Sequence, residues 1–188
     1  MDIRNKCSKL GVIAGVIVVL MVLKSTAFAK KANSGSLSGT FVTANFSFDG
    51  ISPAILVTFS GTDNIGPFTG QEVSEYFPTG NSCIAPDGSG GTVFDLVQGV
   101  EVVTYGQGQL YTAGAGTSAG SGCRSNVTGS FIVSQMHSVT GGTGRFANAS
   151  GTYGGTSIGQ TLAAPGTPPG SFGVFGAFQG TESGSVAE

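Results

Sequence analysis

The chain has 188 residues, 33 glycines and no tryptophan, and only 10% of it is charged, for a formal net charge of −2. That is enough chain for one domain with a proper core. It lacks the clustered bases that displace counterions from nucleic acid, and the same shortage disfavours an anionic membrane surface.

Arg4, Lys6 and Lys9 give the N-terminus a basic start, and residues 11–23 are an unbroken apolar run too short to span a bilayer comfortably. Ala27, Phe28 and Ala29 fit the small-x-small rule of signal peptidase. Residues 1–29 therefore read as an export signal cleaved after Ala29, with an uncleaved anchor as the alternative. Cys7 precedes the apolar run, where a lipoprotein cysteine would follow it, so it leaves with the signal. The mature chain keeps four bases against nine acids, a net charge of −5. This predicts a secreted or periplasmic protein with no stable membrane insertion after cleavage. Two cysteines remain, Cys83 and Cys123, and an even pair in an exported chain points to a disulfide. Two separate buried thiols are the alternative. A bridge here would stabilise the fold by about 4 kcal/mol in the chain-entropy picture. Two cysteines and one histidine without close ligand spacing give no metal site, and no cofactor is expected.

Glycine, threonine, serine and valine dominate, and apolar residues alternate with polar ones throughout, which predicts strands separated by many turns. Residues 30–36 read as a flexible lead-in. Residues 37–48 form the first predicted strand, with Val42, Ala44, Phe46 and Phe48 on one face by the period of two. Residues 54–60 and 68–77 follow. Residues 81–91, with Pro86 and Asp87-Gly88, read as a loop. Strands are predicted at 92–97 and 100–110, joined by a bend or bulge at Gly99. Residues 113–122 read as a small-residue loop. Strands 126–139 and 145–152 flank a tight reversal, 161–170 is a Pro/Gly loop, 171–179 is the last strand and 183–188 a tail. The single domain spans 37–182. A phrase also recurs at residues 39–41, 129–131, 151–153 and 170–172, read as a glycine bend followed by an inward aromatic. About eight antiparallel strands favour a closed all-β barrel, which removes exposed edges. A β-sandwich is the alternative.

The sharpest local signal runs from Val139 to Tyr153, with Gly141, Gly142 and Gly144 supplying the positive φ angles of a tight reversal. Its wording, Gly-Gly-Thr-Gly-Arg-Phe-Ala-x-Ala-x-Gly, resembles a signature of the allene oxide cyclase-like and dirigent-like β-barrels. The specific match covers residues 139–155, and a looser match in strand spacing and glycine bends covers most of the mature chain. The resemblance implies a small eight-stranded barrel. It implies structural roles for Gly141, Gly142, Gly144, Arg145 and Phe146, with the Arg145 guanidinium holding loop carbonyls or a carboxylate. It carries no catalytic residue onto this sequence.

Candidate chemistry comes instead from polar residues on apolar strand faces. Glu72 and Tyr76 share one face, while Glu75 shares the other with Val73 and Phe77. Glu75 is the acid with apolar face-mates, and a carboxylate facing a barrel lumen has a raised pKa suited to acid or base work. Asp95 shares parity with Val93 and Val97, and Glu101 with Val103 and Tyr105. Glu75, Glu101 and Asp95 are thus the candidate catalytic groups, with a solvated outer face as the bland alternative. Tyr76, Tyr105, Phe131 and His137 are the candidate ligand-binding residues. His137 is the lone histidine, following Phe131, Val133 and Gln135 on one face, and a strand-end role competes with a role as base. No nucleophile-elbow or phosphate-loop pattern is present.

These features predict an exported barrel that binds an apolar or aromatic small molecule in its lumen, where shape and one or two polar groups would guide a cofactor-independent cyclisation or isomerisation. The alternative is a non-catalytic envelope or extracellular scaffold, in which Glu75 and Glu101 would be exposed. A homo-oligomer joined through the doubly apolar stretch 92–105 is a third expectation.

Overall fold

A computed structural model describes residues 31–44, 46–48, 50–162 and 175–188. The export signal with its cleavage point, and the Pro/Gly loop with the start of the last predicted strand, lie outside the described residues. Nine strands make up nearly all of the rest: β1 (Lys31–Thr43), β2 (Ala54–Asp63), β3 (Pro67–Ile84), β4 (Gly90–Tyr105), β5 (Gly108–Ala115), β6 (Gly120–Ser125), β7 (Ser130–Gly142), β8 (Ser150–Leu162) and β9 (Phe175–Ala187). One 3₁₀ turn, Gly144–Phe146, sits between β7 and β8.

All pairings are antiparallel, and they close on themselves. The order β3-β2-β1-β9-β8-β7-β5-β4 returns to β3 through a long β3–β4 ladder. β5 and β6 occupy one position in this ring. β5 pairs with residues 98–105 of β4, and β6 with residues 91–95 of the same strand. A short turn between them is anchored by Gly116 N–H donating to Val97 O at 3.1 Å and Met136 N–H donating to Ala119 O at 2.8 Å. Nine strands thus fill eight positions. Val97 is the extra residue of a bulge: Glu75 faces Gln98 while Tyr76 faces Leu96. The bulge reverses the parity of β4. Phe94 and Leu96 are buried before it, and Gly99, Glu101, Val103 and Tyr105 after it.

Several sequence expectations are corrected here. The supposed lead-in and tail are strands that pair with each other, Lys31 with Val186 and Gly35 with Glu182. Their Ser/Gly composition hides a ladder held by backbone hydrogen bonds rather than by apolar alternation. Phe46 and Phe48 lie in the connection after β1, not in it. The loop expected at 81–91 shrinks to residues 85–89. The run 92–110 is one strand, a turn at Gly106 and Gln107, and the start of β5. The loop expected at 113–122 is mostly the ends of β5 and β6, and β8 begins at Ser150 rather than 145.

Interior rings rest on glycines directly across the ladder. Phe59 faces Gly70, Phe94 faces Gly122, Phe131 faces Gly159 and Phe41 faces Gly176. In each case a Cβ on the glycine would collide with the ring. The recurring phrase has this meaning: Phe41, Phe131 and Tyr153 all point inward. Of the phrase's glycines among the described residues, Gly129 and Gly151 have positive φ and Gly39, within β1, does not. Two buried clusters result. One gathers Phe59, Phe68, Val103, Tyr105, Leu110, Val139, Phe146 and Tyr153. The other gathers Tyr76, Phe94, Leu96 and Ala119. Cys83 and Cys123 form a disulfide joining β3 to β6 across β4. It passes over Gly91, where a Cβ would stand 3.2 Å from the Cys123 sulfur.

Gly122→Val should destabilise the fold by about 2 kcal/mol, because the new methyls meet both the Phe94 ring and the Ile132 carbonyl. Urea denaturation measures this, and an unchanged midpoint would contradict the ring-on-glycine packing.

Candidate ligand site

The inward faces enclose a cavity of about 100 Å³. Its wall is apolar, built from Phe41, Ile55, Val57, Phe59, Phe94, Phe131, Val133 and Phe178. Each comes from the alternate inward positions of its strand. Glu72, Ser74, Tyr76, Glu101, Gln135 and Tyr153 add polar groups to the lining. At one end the cluster around Phe146, Leu110 and Val139 packs the interior with apolar side chains. The 3₁₀ turn puts Phe146 there, fully buried.

Glu72 and Glu101 stand directly opposite each other on β3 and β4, and both are buried. Tyr76 Oη donates to Gln135 Oε1 at 2.6 Å, and Gln135 Nε2 donates to Glu72 Oε2 at 3.0 Å. Glu72 Oε1 has no hydrogen-bond partner among the described residues. Thr112 Oγ1 donates to Glu101 Oε2 at 2.8 Å and lies 3.3 Å from His137 Nδ1. His137 Nε2 is buried and without a hydrogen-bond partner among the described residues. The imidazole fits because Gly99 and Gly114, paired across β4 and β5, leave it room.

Burial pushes the Glu72 carboxyl up, with the Gln135 hydrogen bond and the Ser74 hydroxyl opposing in part. Glu101 is pushed up to about 8, first by burial and then by the charge of Glu72, against the Thr112 bond. Burial holds His137 below its usual value. Farther along, Tyr153 donates to Glu182, which burial also pushes up to about 8, against that hydrogen bond and with Asp63 adding to the rise. The interior thus carries two acids, Glu101 and Glu182, whose neutral forms are favoured into the neutral pH range, beside Glu72, whose carboxyl is also raised.

Of the sequence-predicted residues, Glu101, Tyr76 and Phe131 meet at the cavity. His137 is buried beside Glu101, its Nδ1 3.8 Å from Oε2, and does not line the cavity. Tyr105 belongs to the apolar end, its hydroxyl donating to Asp63 Oδ2 at 2.9 Å. Glu75 is misplaced by the parity argument. Its face-mates Val73 and Phe77 are on the outer side, and Phe77 is exposed. Glu75 is buried because residues 46–48 cover it, with Phe48 N–H donating to Oε1 and Gln98 Nε2 to Oε2 at 3.2 Å. Asp95 is also off the site. It lies before the Val97 bulge, out of phase with Phe94 and Leu96, and is only partly buried. Glu72, Gln135, Thr112, Tyr153 and Glu182 are the polar interior residues that the sequence reading did not select. For Glu72 a signal existed: it shares a face with Phe68, Gly70 and Tyr76, the ring-and-glycine pattern of the inner wall. Arg145 ties the 3₁₀ turn to Gln107, through Nη1 at 2.8 Å, and to Glu188. Gly141 and Gly144 have positive φ, but Gly142 does not. It is a glycine for space, since a Cβ would press on Gln109 O and Phe146.

Comparison with family models, with curated proteins and with solved structures returns no match.

The carboxyl shifts set the pH dependence of stability. Below the ordinary glutamate value of 4.5, Glu101 and Glu182 are neutral in both folded and unfolded chains. Between 4.5 and about 8 the folded chain keeps protons that the unfolded chain releases. Stability is therefore full at the acid end of this window and falls as pH rises through it, by at most about 1.4 kcal/mol per pH unit for each retained proton. Glu101→Gln removes one such group and should flatten the decline of Tm across the window. An identical slope in wild type and variant would show that Glu101 titrates normally.

Proposed function

We propose that this chain is an exported β-barrel of the allene oxide cyclase-like kind that takes a mainly apolar or aromatic small molecule into its interior. The observation that carries this reading is a ring-walled cavity with an opposed pair of buried glutamates in its lining. A purely mechanical scaffold gains nothing from such a pair, because apolar residues of similar volume would serve stability as well or better. The scaffold alternative requires Glu75 and Glu101 to be exposed, and both are buried. The β3–β4 ladder that completes the ring favours a closed barrel over a sandwich. The signature at 139–155 favours the family, and the disulfide is compatible with an oxidising compartment.

Such a cavity would act by conformational restraint, holding a flexible ligand near one folded shape. A neutral Glu101 carboxyl could then donate a proton, which makes an isomerisation or cyclisation the natural reaction class. Outward Val100 and Val102 of β4 are exposed, which favours a homo-oligomer through this strand.

The test is a thermal-shift screen of the oxidised mature protein against terpenoid and phenolic compounds. Ligand at 100 times its Kd adds about 2.7 kcal/mol, or several degrees in Tm. Val133→Phe, which fills the cavity, should abolish the shift. A flat screen, or a shift that survives Val133→Phe, would count against an interior site.

A further inference from the structure

We infer that the cavity selects an amine: an aromatic or apolar body carrying one ammonium group, seated between Glu72 and Glu101. This rests on the reading of the cavity as a ligand site. Three independent observations point to it. First, residues directly opposed on a sheet have Cβ atoms about 5 Å apart. The Glu72–Glu101 register therefore sets two carboxyls against each other in a dry interior. Second, the unfilled position is an acceptor's. Glu72 lines the cavity, and its Oε1 is buried with no hydrogen-bond partner among the described residues. The Ser74 hydroxyl acts on this carboxyl as an uncharged donor; a ligand's ammonium group is a charged one that answers both carboxylates at once. Third, the walls are rings, whose faces attract a desolvated cation. Phe41, Phe59, Phe94 and Phe131 supply them.

The other groups around the pair do not fill this role. Tyr76 from β3 donates to Gln135 rather than to either carboxyl, and Gln135 from β7 satisfies only Glu72 Oε2. His137 from β7 is held neutral by burial and reaches Glu101 through Thr112 of β5. Tyr153 from β8 donates to Glu182 of β9, and Asp63 of β2 takes the Tyr105 hydroxyl. Arg124 of β6 also lines the cavity, but at its other end, where its Nε donates to Thr161 Oγ1 at 3.2 Å. Arg124 is level with Phe131 on β7, while Glu101 is level, through Thr112, with Val139. Eight strand residues separate those levels, roughly 25 Å, beyond the reach of one side chain.

Seating an ammonium group requires Glu72 and Glu101 to give up protons that burial makes them keep. Binding should therefore release protons, and affinity for the amine should rise with pH up to about 8.

The experiment is calorimetric titration of the oxidised mature protein with three probes of one shape: 2-phenylethylamine, 2-phenylethanol and 3-phenylpropanoate. The amine should bind about tenfold or more tightly than the alcohol at neutral pH, and the carboxylate more weakly than both. Lowering the pH should weaken the amine and leave the alcohol unchanged. Glu72→Gln and Glu101→Gln should each erase most of the amine's advantage over the alcohol. If a variant does not fold, the wild-type pH series decides alone. Equal affinity for amine and alcohol, or preference for the carboxylate, overturns the amine selection while leaving the interior site standing. If none of the three binds, both the selection and the interior-site reading fall.

Discussion

The pairing of an inward ring with a glycine directly across the ladder is the constraint on which the rest of the structure depends. A ring of eight strand positions has an interior that ordinary side chains can fill. Here each ring lies over a glycine of the neighbouring strand, which offers no Cβ at that point, and Phe41 of β1 meets Phe131 of β7 edge to face with centroids 5.7 Å apart. Phe59 on Gly70, Phe94 on Gly122, Phe131 on Gly159 and Phe41 on Gly176 repeat one device on four different strand pairs. Register follows from it, since a slip of one residue would turn a ring outward and bring a side chain into the ladder. The cavity lies among these same rings, all four of which line it.

That space is what makes the polar residues chemically interesting. Glu72 and Glu101 would be unremarkable in water. Opposed across β3 and β4 and cut off from solvent, each raises the cost of ionising the other. Thr112 and His137 support Glu101, and Gln135 with Tyr76 supports Glu72, so the two carboxyls are positioned by separate hydrogen-bond chains. Room for the first chain again depends on glycine, at Gly99 and Gly114. The inner wall and the polar lining are thus built by the same means.

Much of the fold was legible in the sequence. Antiparallel β structure, the Cys83–Cys123 disulfide, the strand at 54–60 and the shared face of Glu101, Val103 and Tyr105 all follow from alternation and cysteine arithmetic. What alternation could not reveal was β1 before Leu37 and β9 after Glu182. Those stretches are Ser- and Gly-rich, and backbone ladders hold them where a side-chain pattern is lacking. The site was half legible. Glu75 looked inward because Val73 and Phe77 are apolar, yet that face is the outer one, and only the covering segment at 46–48 buries the acid. Asp95 and Glu101 share odd numbering, but the Val97 bulge lies between them and sends them to different faces. A bulge was expected at Gly99, but its placement at Val97 and the long-range cover over Glu75 leave no local mark in composition. The glycines beneath the rings do leave one, and reading Phe68, Gly70, Glu72 and Tyr76 as one face would have found Glu72.

The most direct measurement is a carbon-13 NMR titration of the side-chain carboxyls in glutamate-labelled mature protein, with Glu72, Glu101 and Glu182 assigned by Gln substitution. The burial of these groups predicts midpoints near 8 for Glu101 and Glu182 and a raised midpoint for Glu72. Midpoints for all three near the ordinary value of about 4.3 would place the carboxyls in water and contradict a dry, chemically equipped interior.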